Sequence, residues 1–379
     1  MEYLKNMPSR NNFVVGPVFL FFCFTTIFGP KCIEGFRFLT PYSVPWVAAI
    51  QNVDLQNIDH DDMRALTEDC FQKCPIMVFK RQTECSAPDL LNLVSKFDPD
   101  CDIDALSSNQ TVLHPFRSEP DAPHVAIREG NTKKKDLGDQ FRFGPVWHMD
   151  LVGSKATTVP NVVSAFHFLQ GPKVGGNTVF ANLEIAYASF PPDTRQLVDS
   201  LQCVFDNDLN SLFNFRLDAD GFTRLGPFPE DEESKDQVIR PLVQRDAVTG
   251  RKRFFFTPVR FNHFVGWDRE ASWEFMTYLF HTYINRPGNT ASIEWEEGDI
   301  AIFNNHRLIH TSTPWELYKG EDRRFRLIFL NSKKMYSGSN PTSISGSVAR
   351  GSSSASTGNF VARGKAETKD IQVVDPAPG

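Results

Sequence analysis

From residue 48 onward the chain alternates short apolar runs with stretches of helical periodicity. Ala48-Ala49-Ile50-Gln51-Asn52-Val53-Asp54-Leu55 reads as a strand. Asp59 then caps a helix whose apolar positions, Met63, Leu66, Cys70 and Phe71, recur at near-helical spacing. Pro75 ends it, and Ile76-Met77-Val78-Phe79 follows as a buried strand. The same reading predicts helices over residues 89–97, 184–190, 192–200 and 267–285. It predicts strands near 125–127 and over 162–168, 237–245, 252–256, 300–303 and 325–330, the 237–256 pair turning at Thr249-Gly250. Many short strands with intervening helices suggest a mixed α/β, mainly β chain built on a jelly-roll barrel with helical insertions. Periodicity alone does not separate this from a generic mixed α/β domain.

The two ends differ from this pattern. Residues 13–28 are an apolar run of about 16 preceded by Lys5 and Arg10, short for a membrane span and suited to a signal peptide or signal anchor. Residues 1–31 are therefore expected to direct the chain to the secretory pathway, a membrane or an organelle, with the cytoplasm as the alternative. After about Met335 large apolar groups become scarce and Gly, Ser, Thr and Ala dominate. Such a segment cannot bury enough surface to order itself. The expected organisation is a leader (1–31), one catalytic domain (32–335) and a disordered tail (336–379).

Composition narrows the classes. The 379 residues are 41% hydrophobic with 34 Phe, enough for a sizeable core, and the net charge of -6 offers no electrostatic footprint for nucleic acid. The basic run Lys133-Lys134-Lys135 reads as a solvated loop. Seven cysteines, at 23, 32, 70, 74, 85, 101 and 203, are odd in number and irregular in spacing. They read mainly as buried apolar residues, with a disulfide in the N-terminal third left open.

The chemistry concentrates in Trp147-His148-Met149-Asp150 and Asn305-His306-Arg307-Leu308-Ile309-His310. His148 and Asp150 are two apart, so on a strand they share a face. A later histidine completes two imidazoles and one carboxylate, a facial triad that leaves open positions and suits non-heme Fe(II). A lone His-x-Asp is a weak signal; other elements strengthen it. Thr178 follows Gly175-Gly176-Asn177, where glycine permits close backbone approach and the hydroxyl can donate to a carboxylate. Arg324 and Arg326 lie on a largely apolar strand, where an unpaired guanidinium would be costly and a bidentate pair with a ligand carboxylate is the natural use.

Together these residues resemble the taurine dioxygenase (TauD/TfdA) family of Fe(II)- and 2-oxoglutarate-dependent oxygenases. The resemblance covers roughly residues 45–332. It runs through Val78-Phe79-Lys80-Arg81-Gln82, His114-Pro115, Trp147 to Asp150, Gly175 to Thr178 with Ala186-Tyr187, Thr249 to Lys252, Trp295 to Asn305 and the arginine strand. It implies a double-stranded β-helix, a cupin-like jelly roll with flanking helices. It implies iron held by His148, Asp150 and His310, and 2-oxoglutarate held at its far carboxylate by Arg324 and Thr178. O₂ would oxidise that co-substrate to succinate and CO₂ while a C–H bond of a small molecule is hydroxylated, desaturated or used for ring closure. His114 and Arg326 would face an anionic substrate. Three departures stand out. His306 lies four before His310 and competes for the ligand role. Phe303-Asn304-Asn305 replaces a Trp-Asp-Asn common among relatives. Arg323-Arg324-Phe325-Arg326 lacks the four-residue spacing of the taurine enzyme's two arginines, so the roles of Arg324 and Arg326 stay open. Two other classes compete: a non-catalytic jelly roll that binds a small ligand, and a zinc hydrolase using the same triad, which would leave Arg324 and Thr178 without a task.

Overall fold

The computed structural model describes residues 37–39, 44–97, 117–130, 146–150, 162–206, 216–217, 222, 224–225, 237–246, 250–258, 260–313 and 323–330. The expected leader, the apolar run 13–28, His114, the lysine run and the tail lie outside them. Among the described residues no helix is long and apolar enough to cross a membrane. Cys74, Cys85 and Cys203 are buried.

Two sheets frame the site. The larger has eight strands in the order Arg37–Leu39, Val47–Gln51, Ile76–Phe79, Ile300–Asn304, Val163–Gln170, Arg323–Leu330, Ala122–Gly130 and Arg117–Glu119. All its pairs are antiparallel except Val47–Gln51 with Ile76–Phe79. The smaller orders Thr290–Ile293, Thr178–Asn182 and Leu308–Ser312, antiparallel throughout. Consecutive strands of the chain thus alternate between sheets: Val163–Gln170 and Ile300–Asn304 in the larger, Thr178–Asn182 and Leu308–Ser312 in the smaller. Phe166 and Phe303 from the larger sheet meet Phe180 from the smaller, with Phe166–Phe303 at 4.9 Å and Phe180–Phe303 at 5.0 Å between ring centroids. This is a double-stranded jelly roll, as expected. Ile76–Phe79 and Ile300–Asn304 are buried at every position, as central strands covered on both faces must be.

Helices cover the outer face of the larger sheet. Ala87–Ser95 begins at Ser86, whose hydroxyl accepts from the Asp89 N–H while the Asp89 carboxylate accepts back from the Ser86 N–H. Its Leu90, Leu93 and Val94 join the core. A second core takes up much of the phenylalanine: Phe205, Phe222, Phe254, Phe255, Phe256, Phe261, Phe264 and Phe280 are fully buried, and Phe222 stacks on Phe280 at 3.8 Å. Burying one such ring stabilises the fold by about 1.5–3 kcal/mol.

Local expectations shift at their ends. The first long strand stops at Gln51 because Asn52 turns to a φ of 60° and the Asp54 carboxylate accepts from the Gln56 and Asn57 N–H groups. The Asp59 cap holds, accepting from the Asp62 N–H at 2.8 Å, but its helix widens to a π turn over Ala65–Cys70. The single strand expected over 237–245 divides at Leu242 into Gln237–Pro241 and Val243–Arg245. Proline has no N–H to continue the ladder, and the Leu242 N–H bonds instead to the Leu201 carbonyl. The long helix expected over 267–285 is α-helical over Arg269–Leu279 and ends in a π turn, Phe280–Ile284. The strands Thr178–Asn182, Gln202–Asp206, Phe261–Phe264, Thr290–Ile293 and Leu308–Ser312 were not legible from periodicity.

Candidate active site

His148 and His310 exchange both backbone hydrogen bonds, His148 N–H to His310 carbonyl at 2.8 Å and the reverse at 2.9 Å. That isolated bridge sets their rings side by side, centroids 4.4 Å apart. Phe166, Phe180 and Phe303 wall in the His310 ring. Asp150 Oδ1 lies 3.8 Å from His148 Nε2 and 3.6 Å from His310 Nε2. One ligand atom from each of the three residues falls within 4.8 Å of the others, and among the described residues this is the metal-competent cluster.

The donor set fits a divalent ion. The Val146 carbonyl lies 2.8 Å from His148 Nδ1, which puts the proton there and leaves Nε2 a bare lone pair aimed at Asp150. Burial pushes His148 down to about 4 and His310 well below the usual imidazole range, so both rings are neutral. Burial pushes the Asp150 carboxyl up to about 7, against the Ser164 hydroxyl bond and the positive charge of Arg128. A carboxyl so poor in compensation gains most from a cation beside it.

The supports of the triad come from a turn. Asn305 Oδ1 accepts the Asp150 N–H and Asn305 Nδ2 donates to the Asp150 carbonyl, both at 2.9 Å. Asn304 Oδ1 accepts the N–H groups of His306 and Arg307, closing the turn before the His310 strand. Arg307 donates to Glu184 Oε2 at 2.8 Å and to the Gln72 carbonyl at 2.8 Å. His306 is buried beside Arg253, its Nδ1 3.0 Å from a guanidinium nitrogen, and stands outside the cluster. The departure at Phe303-Asn304-Asn305 therefore keeps its clamp on Asp150, and Asn304 serves the turn.

Next to the triad, Thr178 and Arg323 form a second polar group. Arg323 Nε donates to the Gly176 carbonyl at 3.0 Å, and its Nη2 lies 3.4 Å from the Thr178 hydroxyl. The Trp295 indole N–H donates to the same hydroxyl at 3.0 Å. With those donors occupying the oxygen's lone pairs, the Thr178 proton is left to donate. Gly176 has a φ of 71°, and a Cβ there would sit 3.0 Å from Pro172 and 3.4 Å from Arg323 Nε. The expected use of the double glycine is thus met in a specific form: it admits the guanidinium.

Here the structure corrects the arginine assignment. Along Arg323–Leu330 the residues that line the cleft are Arg323, Phe325 and Leu327. Alternation along the strand turns Arg324 and Arg326 to the opposite face. Arg326 donates to Glu119 Oε1 at 2.6 Å and to the Cys85 carbonyl at 2.9 Å, under the helical layer. Arg323 is thus the arginine of this strand beside Thr178 in the cleft, where Arg324 was expected, and Arg326 is held in an ion pair with Glu119 on the other face. Cleft-facing positions four apart on this strand are Arg323 and Leu327. His114 lies outside the described residues. Sequence reading also missed Arg128, which lines the cleft with Val146, Phe166 and Thr311; nothing local marks it, since it sits among ordinary strand residues.

A model of the taurine catabolism dioxygenase TauD, TfdA family matches residues 37–328. The chain belongs to that family. Among curated relatives of this TauD/TfdA chain, an alpha-ketoglutarate-dependent sulfate ester dioxygenase of Pseudomonas putida is 25% identical over 232 residues, 60% of this chain and 71% of its own length. An alkylsulfatase of Acinetobacter baylyi is 26% identical over 175 residues, 43% of this chain and 50% of that one. The match spans only 39% of a Schizosaccharomyces pombe relative, 26% identical. The crystal structure of a taurine dioxygenase from Burkholderia xenovorans superposes with a TM-score of 0.58 at 20% identity, covering 79% of this chain and 90% of that one. The likeness confirms the fold. Enzymes of this family use Fe(II), 2-oxoglutarate and O₂.

Proposed function

We propose that this chain is an Fe(II)- and 2-oxoglutarate-dependent dioxygenase that oxidises an unactivated C–H bond of a small acid, releasing succinate and CO₂. The observation that carries the reading is one cleft lined by His148 and His310 of the triad and by the Arg323–Thr178 pair. His148, Asp150 and His310 would hold the metal from one side and leave the other open to ligands. Arg323 and Thr178 would take the far carboxylate of 2-oxoglutarate, the guanidinium by charge-assisted bonds and the hydroxyl by its free proton. Iron supplies the activation of O₂ that the side chains cannot. Phe166, Phe325, Leu327 and Val146 also line the cleft and would limit the access of water to the reacting carbon.

The test is anaerobic addition of Fe(II) and 2-oxoglutarate, followed in air by a screen of small acids for succinate release. The expected result is a visible charge-transfer band, lost in His148→Ala, Asp150→Ala and His310→Ala and kept in His306→Ala, with succinate formed in the presence of a true substrate. A wild type that gives no band, or a band that survives His310→Ala, overturns the reading.

A further inference from the structure

Trp295 stands behind the site without entering it. The described lining of the cleft includes Thr178, Arg323 and Phe325 but not Trp295. The tryptophan lies two residues beyond Ile293, the ladder partner of Thr178, and is therefore the diagonal neighbour of that threonine. Its indole N–H donates to the Thr178 hydroxyl at 3.0 Å. We propose that Trp295 is a positioning residue for the co-substrate: by donating to Thr178 it makes that hydroxyl an obligate donor, and so ties the site to a 2-oxo acid that carries a second carboxylate. The inference rests on the dioxygenase reading and deepens it.

Three observations point this way. First, a threonine hydroxyl has one proton and two lone pairs, and it rotates to suit its neighbours. Trp295 and Arg323 both approach Thr178 Oγ as donors, at 3.0 and 3.4 Å, and no described residue accepts its proton. The proton is left to point into the cleft that Thr178 lines. An indole N–H can only donate, so the constraint runs one way, toward an acceptor in the cleft. Hydrogen bonds aligned in such a chain strengthen one another away from water. Second, the indole ring is braced against the other donor. It stacks on Phe168 at 5.8 Å and meets Phe325 edge-on at 5.2 Å between centroids. Phe325 in turn carries the Arg323 guanidinium over its face, 4.4 Å from the centroid. Third, the backbone next to Trp295 is held in a closed turn. The buried Asp299 carboxylate accepts the Glu296 N–H at 2.9 Å, and the Asp299 N–H returns to the Glu296 carbonyl at 3.0 Å. Lys80, just past Ile76–Phe79, pairs with the same carboxylate. That turn keeps the indole where its N–H meets Thr178.

The experiment uses the full chain loaded anaerobically with Fe(II), titrated calorimetrically with 2-oxoglutarate and with 2-oxopentanoate, which has a methyl group in place of the far carboxylate. The wild type is expected to bind 2-oxoglutarate more tightly. Trp295→Phe keeps an aromatic ring and loses the N–H. It is expected to weaken 2-oxoglutarate about three- to tenfold, the worth of one hydrogen bond, and to leave the affinity for 2-oxopentanoate near wild type. In a Thr178→Val background the same substitution should cost 2-oxoglutarate no further affinity, since residues that act through one another are not additive. Circular dichroism checks that each variant is folded, and Trp295→Tyr, which also lacks the indole N–H, takes the place of a Phe variant that is not. A folded Trp295→Phe with unchanged affinity for 2-oxoglutarate overturns the proposal. So does an equal loss for both acids, which marks a general slackening of the site, and so does a full loss in the Thr178→Val background. A wild type that binds the two acids alike overturns the co-substrate role of Thr178 and Arg323 together with the proposal, and one that binds neither overturns the dioxygenase reading as well. Both are seen before any substitution is made, and so are told apart from failure of Trp295 alone.

Discussion

The side chain of Asn305 grips the backbone of Asp150 from both sides, accepting its N–H and donating to its carbonyl, each at 2.9 Å. The two residues are 155 apart in sequence, and this pair fixes the carboxylate relative to the turn that launches His310. Backbone groups bonded in this way leave the side chain little freedom to swing out of the ligand position. Asn305→Ala is therefore expected to weaken Fe(II) binding by about 10–100-fold while all three ligands remain. Titrating Fe(II) against the charge-transfer band at saturating 2-oxoglutarate measures it; an affinity equal to wild type would remove the clamp from the account of the site.

The placement of Arg323 separates it from its neighbour. Arg323→Ala should raise the apparent constant for 2-oxoglutarate by roughly two to four decades, the cost of leaving a buried charge unpaired being about 3–5 kcal/mol. Arg324→Ala, on the opposite face, should leave that constant near wild type. If the two variants exchange these outcomes, the strand register described above is in error.

Arg326 is expected to matter for stability and not for ligands. Arg326→Met removes a partly buried pair with Glu119 and should lower unfolding stability by about 1.5–3 kcal/mol. Denaturant unfolding reads the loss. A selective rise in the constant for 2-oxoglutarate or for the primary substrate, with stability unchanged, would contradict the assignment.

His167 gives the fold an acid limit. It is buried in the larger sheet opposite Arg326, and burial, then the Arg326 charge, push it down to about 4. The folded value lies below the ordinary 6.5, so the unfolded chain takes the proton more readily. The neutral ring's contribution is whole above pH 6.5 and is lost as pH falls from there to about 4, a change of about 3 kcal/mol. His167→Leu should flatten that limb of the stability profile. An acid limb of the same steepness in the variant would place its origin elsewhere.

The sequence by itself determined the elements whose causes are local. Asp59 and Ser86 start helices because a short polar side chain there meets an open N–H. His148, Asp150, His310 and Thr178 were singled out by residue type and spacing, and the jelly roll by many short strands between helices. Only the tertiary structure decided which arginine enters the site. Arg323–Leu330 carries arginine on both faces and only apolar residues from Leu327 on, so its sequence has no polar alternation to read, and a slip of one residue exchanges the faces. The bulge between Arg324 and Phe325 against Val163–Gln170 lies at that point. Arg128 and Asn305 escaped for the same physical reason: each acts on residues distant in sequence, across a ladder or a turn. Such pairings are set by how strands register in three dimensions, which no local pattern of polar and apolar positions contains.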